Sequence, residues 1–360
     1  MTVRRAVVKV GTSTLTGGTG VLDEAYSEDL VRDLARARAR GTEILLVTSG
    51  AITAGASRMG IGRPRTIPEK QAAAAVGQGL LMGLYIQAFA RRGLAAAQVL
   101  LTREDLNSRQ RYLNARNALF ALLQNRAVPV INENDTVAVD EIRVGENDTL
   151  AALVAALVEA DLLVLLSDVQ GLLDEGGQVI PEVPDIARVA HLAGGPGSAV
   201  GSGGMVTKLQ AARIAARCGA TTVITHGRRD GVICALLEGE RLGTVFPPSE
   251  HRLRARKRWI AFGARPRGAI IINEGARRSL VEEGHSLLPA GIVAVEGRFQ
   301  AGDLVRIEDE EGRELARGLT NYASQDLAAV RGLHTDEVAN YLGACDFEEA
   351  VHRDNLVVNV

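Results

Sequence analysis

Of the 41 basic residues in this 360-residue chain, only four are lysines: Lys9, Lys70, Lys208 and Lys257. Two of them stand in glycine-rich segments whose residue types suit an anion. Lys9 opens KVGTSTLTGG (9–18), where glycines and hydroxyl residues can turn backbone N–H groups toward a phosphate. Lys208 closes SGGMVTK (202–208), which has the composition of a helix start, where unpaired N–H groups and the helix dipole favour negative charge. Either segment alone would read as a plain turn or cap. Two of them, each carrying a rare lysine, point to phosphate binding. Neither has the GxxxxGK[ST] spacing of a P-loop. GQGLLMG (77–83) lacks the GxGxxG spacing and sits in an Ala-rich helical pattern, so it reads as helix packing.

A second set of residues could recognise an amino acid. The tetrapeptide ENDT occurs twice, at 133–136 after an apolar strand-like run and at 146–149 before a helical one. Asn and Asp at such places serve as turn residues or N-caps. Two copies at neighbouring sheet edges could also converge on one ligand, binding an ammonium and a carboxylate through paired hydrogen bonds. VTSGAITAG (47–55) adds Ser49, and LLSDVQGL (165–172) adds Asp168, placed to orient a lysine, a metal or a nucleotide. The six histidines form no HxxxH or HxH pair. The three cysteines, Cys218, Cys234 and Cys345, have no CxxC spacing, so neither a metal site nor a disulfide framework is expected.

The elements that must position these residues follow from hydropathy. Short apolar runs at 6–10, 43–49, 96–101, 128–132, 161–168 and 221–226 alternate with helical spacing at 27–40, 68–92, 105–125, 148–160, 204–218 and 230–239. Near-continuous apolar strands separated by helices predict an α/β fold with an open, mainly parallel sheet sandwiched by helices. In such sheets ligands bind beyond the carboxyl ends of the strands, where VTSG, INEND and LSDVQG lie. LLDEGGQVI (172–180) predicts a hairpin, and AGGPGSAVGSGG (193–204) a loop. From 268 the pattern changes to short strand-like runs, AIIIN, GIVAVEG, DLVRIED and ELARGLTN, a small β-rich domain.

Charge marks the same division. Residues 1–250 are neutral overall, 251–267 carry seven basic and no acidic side chains, and 268–360 carry 8 basic and 17 acidic, a net of −9. The expected organisation is a catalytic domain over 1–250, a basic linker over 251–267 and a β-rich domain with its tail over 268–360. The first apolar run is too short for a signal peptide. No 18-residue apolar stretch is read elsewhere, so a cytoplasmic protein with no membrane partner is expected.

KVGTSTLTGG, VTSGAITAG, INENDTV, GENDTLAALVA, LSDVQGL and SGGMVTK occur in the order found in the glutamate 5-kinases, and the chain resembles that family within the amino acid kinase superfamily. LPAGIVAVEGRFQAGDLVRI and ARGLTNYASQDL resemble the PUA domain that many bacterial members carry. Leu173 departs from the pattern, where many relatives have an aromatic residue. The resemblance implies ATP-dependent phosphorylation of the side-chain carboxylate of L-glutamate, at the first step of proline biosynthesis, with Mg²⁺. It implies Lys9 and Lys208 flanking the transferring phosphoryl group, Asp168 holding lysines or nucleotide in place and Asp148 as a further catalytic participant. Ser49, Asp135 and Asn147 would bind glutamate, supported by Asn132 and Asn134. Lys9, Ser167, Asp168 and the loop Ser202, Gly203, Gly204, Met205, Val206, Thr207 and Lys208 would bind ATP. It further implies homo-oligomers, dimeric or tetrameric, and a glutamyl phosphate reductase as the consumer of the product. Other superfamily substrates, acetylglutamate, aspartate or carbamate, stand as alternatives on fold alone. So does RNA binding through the PUA domain, against which its net charge of −9 argues.

Overall fold

The computed structural model describes residues 3–137, 146–194, 202–249, 257, 259–263, 266–334, 337–338 and 347–358. They form two compact units, one of residues 1–106 and 110–252, the other of 253–360 with 107–109.

The first unit is built on β1 (Arg5–Val10), β2 (Glu43–Val47), β3 (Ala96–Leu101), β4 (Val128–Glu133), β5 (Leu162–Ser167), β6 (Thr221–His226) and β7 (Thr244–Phe246). Their order is β3-β4-β2-β1-β5-β6-β7, parallel throughout except for β7, which pairs antiparallel with β6. All six apolar runs read from the sequence are the six parallel strands. They could be read because a strand covered on both faces must be apolar at nearly every position, each fully buried aliphatic side chain contributing about 1.5–3 kcal/mol. Every residue of β1 and of β5 is buried.

The covering helices are α1 (Thr12–Thr16), α2 (Glu24–Ala39), α3 (Ala51–Met59), α4 (Ile67–Ala90), α5 (Arg103–Asn107), α6 (Arg109–Gln124), α7 (Glu146–Leu157), α8 (Ser202–Cys218) and α9 (Val232–Leu237). Two of these, α1 and α3, replace what the sequence presents as loops. Both start one residue after a strand-end glycine, Gly11 or Gly50. Gly50 has φ +97°, a conformation that lets β2 turn into α3 at once and that a side chain would strain.

α4 corrects the reading that no long apolar stretch exists: it is 24 residues long and apolar enough to cross a membrane by length and composition. In this fold it is a core helix. Thr66 and Glu69 form a capping box at its start, and Leu81, Tyr85 and Phe89 are fully buried in the main hydrophobic cluster. Its crossing with α3 is backbone on backbone. A Cβ at Gly55 would stand 1.8 Å from the Ala73 carbonyl oxygen, and one at Gly77 would stand 1.7 Å from that of Ala51. The GQG segment therefore does serve helix packing. Gly77→Ala is expected to force α3 away from α4 and to cost about 3 kcal/mol. Gly79→Ala, on the same helix with open space around it, should be neutral or stabilise by up to about 1 kcal/mol. Urea unfolding of the two variants checks the contrast.

The predicted hairpin is present, with Leu173 bridged to Val179 and a turn closed by Gly177 N–H donating to the Asp174 carbonyl. Most of the glycine-rich stretch 193–204 lies outside the described residues.

The second unit holds β8 (Gly268–Ile272), β9 (Ile292–Gly297), β10 (Leu304–Glu308), β11 (Glu314–Leu319) and β12 (Leu356–Val358) in the order β12-β11-β10-β8-β9. Helices α10 (Glu274–Val281) and α11 (Ser324–Val330) complete it around a core that includes Ile270, Phe299, Ile307 and Leu327. Trp259 is buried in a short turn, Trp259–Gly263, that packs on β11 and β12, and Arg317 donates to the Ala261 carbonyl at 3.1 Å. It is thus a buried anchor of this unit.

Candidate active site

Four parallel strands, β1, β2, β4 and β5, end on one cleft of about 1050 Å³, lined among others by Lys9, Gly11, Ser49, Asn132, Asp135, Asn147, Asp148, Ser167, Asp168, Gly204, Met205 and Lys208. Adjacent parallel strands carry these residues to the same edge, as the register Lys9–Val47 and Lys9–Leu165 makes plain. Eleven of the residues expected to act therefore share one cavity although they span 200 positions of chain. Ser202 and Gly203 begin α8, and nothing is described of their side chains.

The centre of the cleft is Asp148, in the first turn of α7 and 1% exposed. Lys9 Nζ lies 2.6 Å from its Oδ1 and Lys208 Nζ 3.3 Å from its Oδ2. Thr207 Oγ donates to the same Oδ2 at 2.8 Å, and Lys208 Nζ also donates to the Gly204 carbonyl at 3.1 Å. One carboxylate thus holds two buried cations side by side, and the trio carries one net positive charge. Burial works to raise the Asp148 pKa, but the two ammonium groups outweigh it and hold the carboxyl below its ordinary range. Burial lowers the Lys9 pKa, with Asp148 opposing and Lys208 reinforcing. A lysine near the end of a fully buried strand costs free energy unless paired, so β1 departs from apolar character here for a reason other than packing.

Asp168 stands at the end of β5, apart from the ion-paired trio. It lines the cleft, is exposed, and accepts from Ser167 Oγ at 3.1 Å, but ion-pair contact with both lysines belongs to Asp148. Asp168 acts on Lys9 only through space.

A second cluster sits beside the first. Asn147 Nδ2 donates to Ser49 Oγ at 3.0 Å and to Asn132 Oδ1 at 3.3 Å. Asn132 in turn donates to Gln78 Oε1 at 2.7 Å. Asn147 Oδ1 is buried and has no hydrogen-bond partner among the described residues. The second ENDT copy does begin a helix, and its Asn and Asp point into two adjoining clusters. Of the first copy, Asp135 lines the cleft, while Asn134 closes its own turn by accepting from Thr136. Val206 is exposed on α8 at 40%.

The arrangement suits two anions. At one end a pair of ammonium groups stands against bare backbone: Cβ atoms added at Gly11 and Gly204 would come 3.5 and 3.7 Å from the Nζ atoms of Lys9 and Lys208. That leaves room for a phosphoryl group to approach the cations. The start of the 17-residue α8 adds its dipole. No group of three or more His, Cys, Asp or Glu that could cage a metal exists among the described residues. A metal here would be held by ligand phosphates and at most one carboxylate such as Asp168, which is how Mg²⁺ usually binds.

Sequence reasoning gave no role to three residues of this region, Lys70, Arg63 and Gln78. Lys70, near the start of α4, lines the cleft with Arg63 of the preceding loop. Gln78 carries the polar network onward. Its only signal was a polar side chain inside the uncharged stretch 71–90. Nothing among the described residues gives Lys257 a role.

Comparison with known proteins gives the site its context. Residues 4–226 match the amino acid kinase family and residues 268–342 the PUA domain. The chain is similar to the glutamate 5-kinase of Moorella thermoacetica, 51% identical over 99% of this chain and 96% of that protein. It is also similar to those of Carboxydothermus hydrogenoformans, 50% identical over 99% and 98% of the two chains, and of Caldanaerobacter subterraneus subsp. tengcongensis, 48% identical over 98% and 97%.

Proposed function

The chain belongs to the amino acid kinase family and, within it, to the glutamate 5-kinases, and from that premise we propose how its cleft transfers the γ-phosphoryl group of ATP to the side-chain carboxylate of L-glutamate. The product is L-glutamyl 5-phosphate, at the first step of proline biosynthesis. The observation that carries the reading is Asp148, which holds Lys9 and Lys208 together beside the Ser49–Asn147 pair.

The chemistry asks little of acid–base catalysis. A glutamate side chain, with a pKa of about 4.3, is already an anion at neutral pH and needs no general base. One carboxylate oxygen attacks the γ-phosphorus in line, the bond to the bridging oxygen breaks, and ADP departs with its electron pair. The difficulty is bringing two anions together. Lys9 and Lys208 neutralise charge on the phosphoryl oxygens and the leaving group, while Asp148 fixes both ammonium groups and keeps them from repelling each other. Ser49, Asp135 and Asn147 bind and orient glutamate. Ser167, Asp168 and the residues from Ser202 to Lys208 hold the nucleotide. Mg²⁺ supplies further neutralisation when bound with the nucleotide.

The reaction class fixes the assay. Hydroxylamine traps an acyl phosphate as a hydroxamate. With ATP, glutamate is expected to give hydroxamate, and acetylglutamate, aspartate and carbamate are not. Product from acetylglutamate alone would overturn the assignment. We also place the protein in the cytoplasm as a homo-oligomer, dimer or tetramer; exposed Val76, Leu80 and Ile86 on α4 support association. Because its acyl phosphate hydrolyses readily, a glutamyl phosphate reductase is the partner that fits. RNA binding stays the weaker reading for the PUA domain, since its acidic balance opposes phosphate contacts.

A further inference from the structure

The polar network of the substrate end continues beyond the cleft wall to Gln78 on α4. We infer that Gln78 is a positioning residue that fixes the donor and acceptor polarity of the glutamate site. The inference rests on the glutamate reading above.

An asparagine amide presents an acceptor on one side and donors on the other in nearly the same shape, so only its partners decide which way it faces. The chain of partners here runs in one direction. Gln78 Oε1 accepts from Asn132 Nδ2 at 2.7 Å, which turns Asn132 Oδ1 toward Asn147. Asn132 Oδ1 then accepts from Asn147 Nδ2 at 3.3 Å, and Ser49 Oγ accepts from the same Nδ2 at 3.0 Å. Two consequences reach the cleft. Asn147 Oδ1 is left as a buried acceptor with no protein partner among the described residues. The Ser49 hydroxyl, already serving as acceptor, keeps its own proton to donate. A free acceptor fits an ammonium N–H, the group that tells an amino acid from a simple diacid, and a free hydroxyl proton fits a carboxylate.

Gln78 is not among the residues that line the cleft; it acts from behind, through Asn132. Its own position is fixed firmly. The neighbouring Gly77 lies against the Ala51 carbonyl at the α3–α4 crossing, and α3 is the helix that follows Ser49 and Gly50. Both ends of the relay are therefore tied to one rigid helix pair. With the Gln78 acceptor in place, Asn132 keeps its amide nitrogen toward α4; without it, Asn132 and Asn147 can turn over together, which keeps their mutual hydrogen bond and reverses the polarity that Asn147 shows the cleft.

Two substitutions separate polarity from bulk. Gln78→Leu removes the acceptor and keeps the size; Gln78→Met serves if the branched side chain does not fit. Gln78→Glu keeps an acceptor and removes the donor. Gln78→Leu is expected to raise the KM for glutamate about tenfold, the effect of one buried polar group left mispaired. The KM for ATP and the thermal midpoint should stay near those of the unaltered chain. Gln78→Glu should hold the glutamate KM close to the starting value. The preference for glutamate over glutarate, which lacks the ammonium group, should narrow in Gln78→Leu and persist in Gln78→Glu. Turnover of glutamate with unchanged KM and unchanged glutarate discrimination in Gln78→Leu, or equal impairment in both variants, would overturn the relay and leave the substrate assignment standing. Absence of glutamyl hydroxamate from the unaltered chain would overturn the assignment and this role together.

Discussion

Lys208→Ala is expected to lower kcat by two or more orders of magnitude while the thermal midpoint barely moves. The asymmetry follows from what the side chain touches. In the ground state its ammonium is one of three donors around Asp148, 3.3 Å from Oδ2, and the carboxylate keeps Lys9 at 2.6 Å and Thr207 at 2.8 Å when Lys208 is gone. No buried charge is stranded, so the fold has little to lose. In the transition state the same ammonium meets charge that develops on the phosphoryl group, and deleting a preorganised contact of that kind commonly costs a hundredfold or more. Lys208→Arg should also be costly, by about tenfold or more, although the charge is retained. The ammonium is a compact point charge that sits against the bare backbone of Gly204, where a planar guanidinium does not superimpose. A chain with 37 arginines that has lysine at both proposed phosphoryl-binding positions is consistent with that distinction. Steady-state kinetics beside a thermal melt decide the matter: near-normal turnover in Lys208→Ala would remove the residue from the mechanism.

How much of this was legible in the sequence depends on how local each feature is. The six parallel strands were, because burial on both faces leaves a continuous apolar run. β7 and β12 were not: three residues each, TVF and LVV, are too short to show a pattern. α1 and α3 were read as loops because glycine, serine and threonine dominate their starts. The residue types there suit a ligand-binding loop and hid the helical turn that carries them. The two clusters of the cleft divide in the same way. Lys9, Ser49, Asn147 and Lys208 announced themselves by type at strand and helix ends. That Asp148 and not Asp168 would meet both lysines could not be read, since it depends on α7 packing against both α8 and β1, a contact between segments distant in the chain. Gln78 was hidden for a similar reason, 54 residues from the Asn132 it contacts.

Asp148→Asn should do what Lys208→Ala does not: weaken the fold and the reaction together. The change keeps shape and removes only charge, leaving the Lys9 and Lys208 ammonium groups buried without a counterion. Removing one partner of a buried ion pair costs about 3–5 kcal/mol. Turnover should fall by at least two orders of magnitude, because both cations lose their fixed positions. The pH dependence gives a sharper signature. The native Asp148 pKa lies below the ordinary 3.8, so its contribution to stability is fully present above that value and is lost as pH falls through the lower folded value. The stability gap between the two proteins should therefore close in strong acid. On the alkaline side, burial already holds Lys9 below its ordinary 10.5, and Asp148 is the group that opposes that shift. In Asp148→Asn the Lys9 proton should leave at still lower pH, and the alkaline limb of residual activity should move down with it. ATP offers a third readout. Its phosphates bring the missing negative charge, so saturating nucleotide should raise the thermal midpoint more in the variant than in the unaltered protein. Equal nucleotide shifts, with an unmoved alkaline limb, would mean that Asp148 does not organise the two lysines.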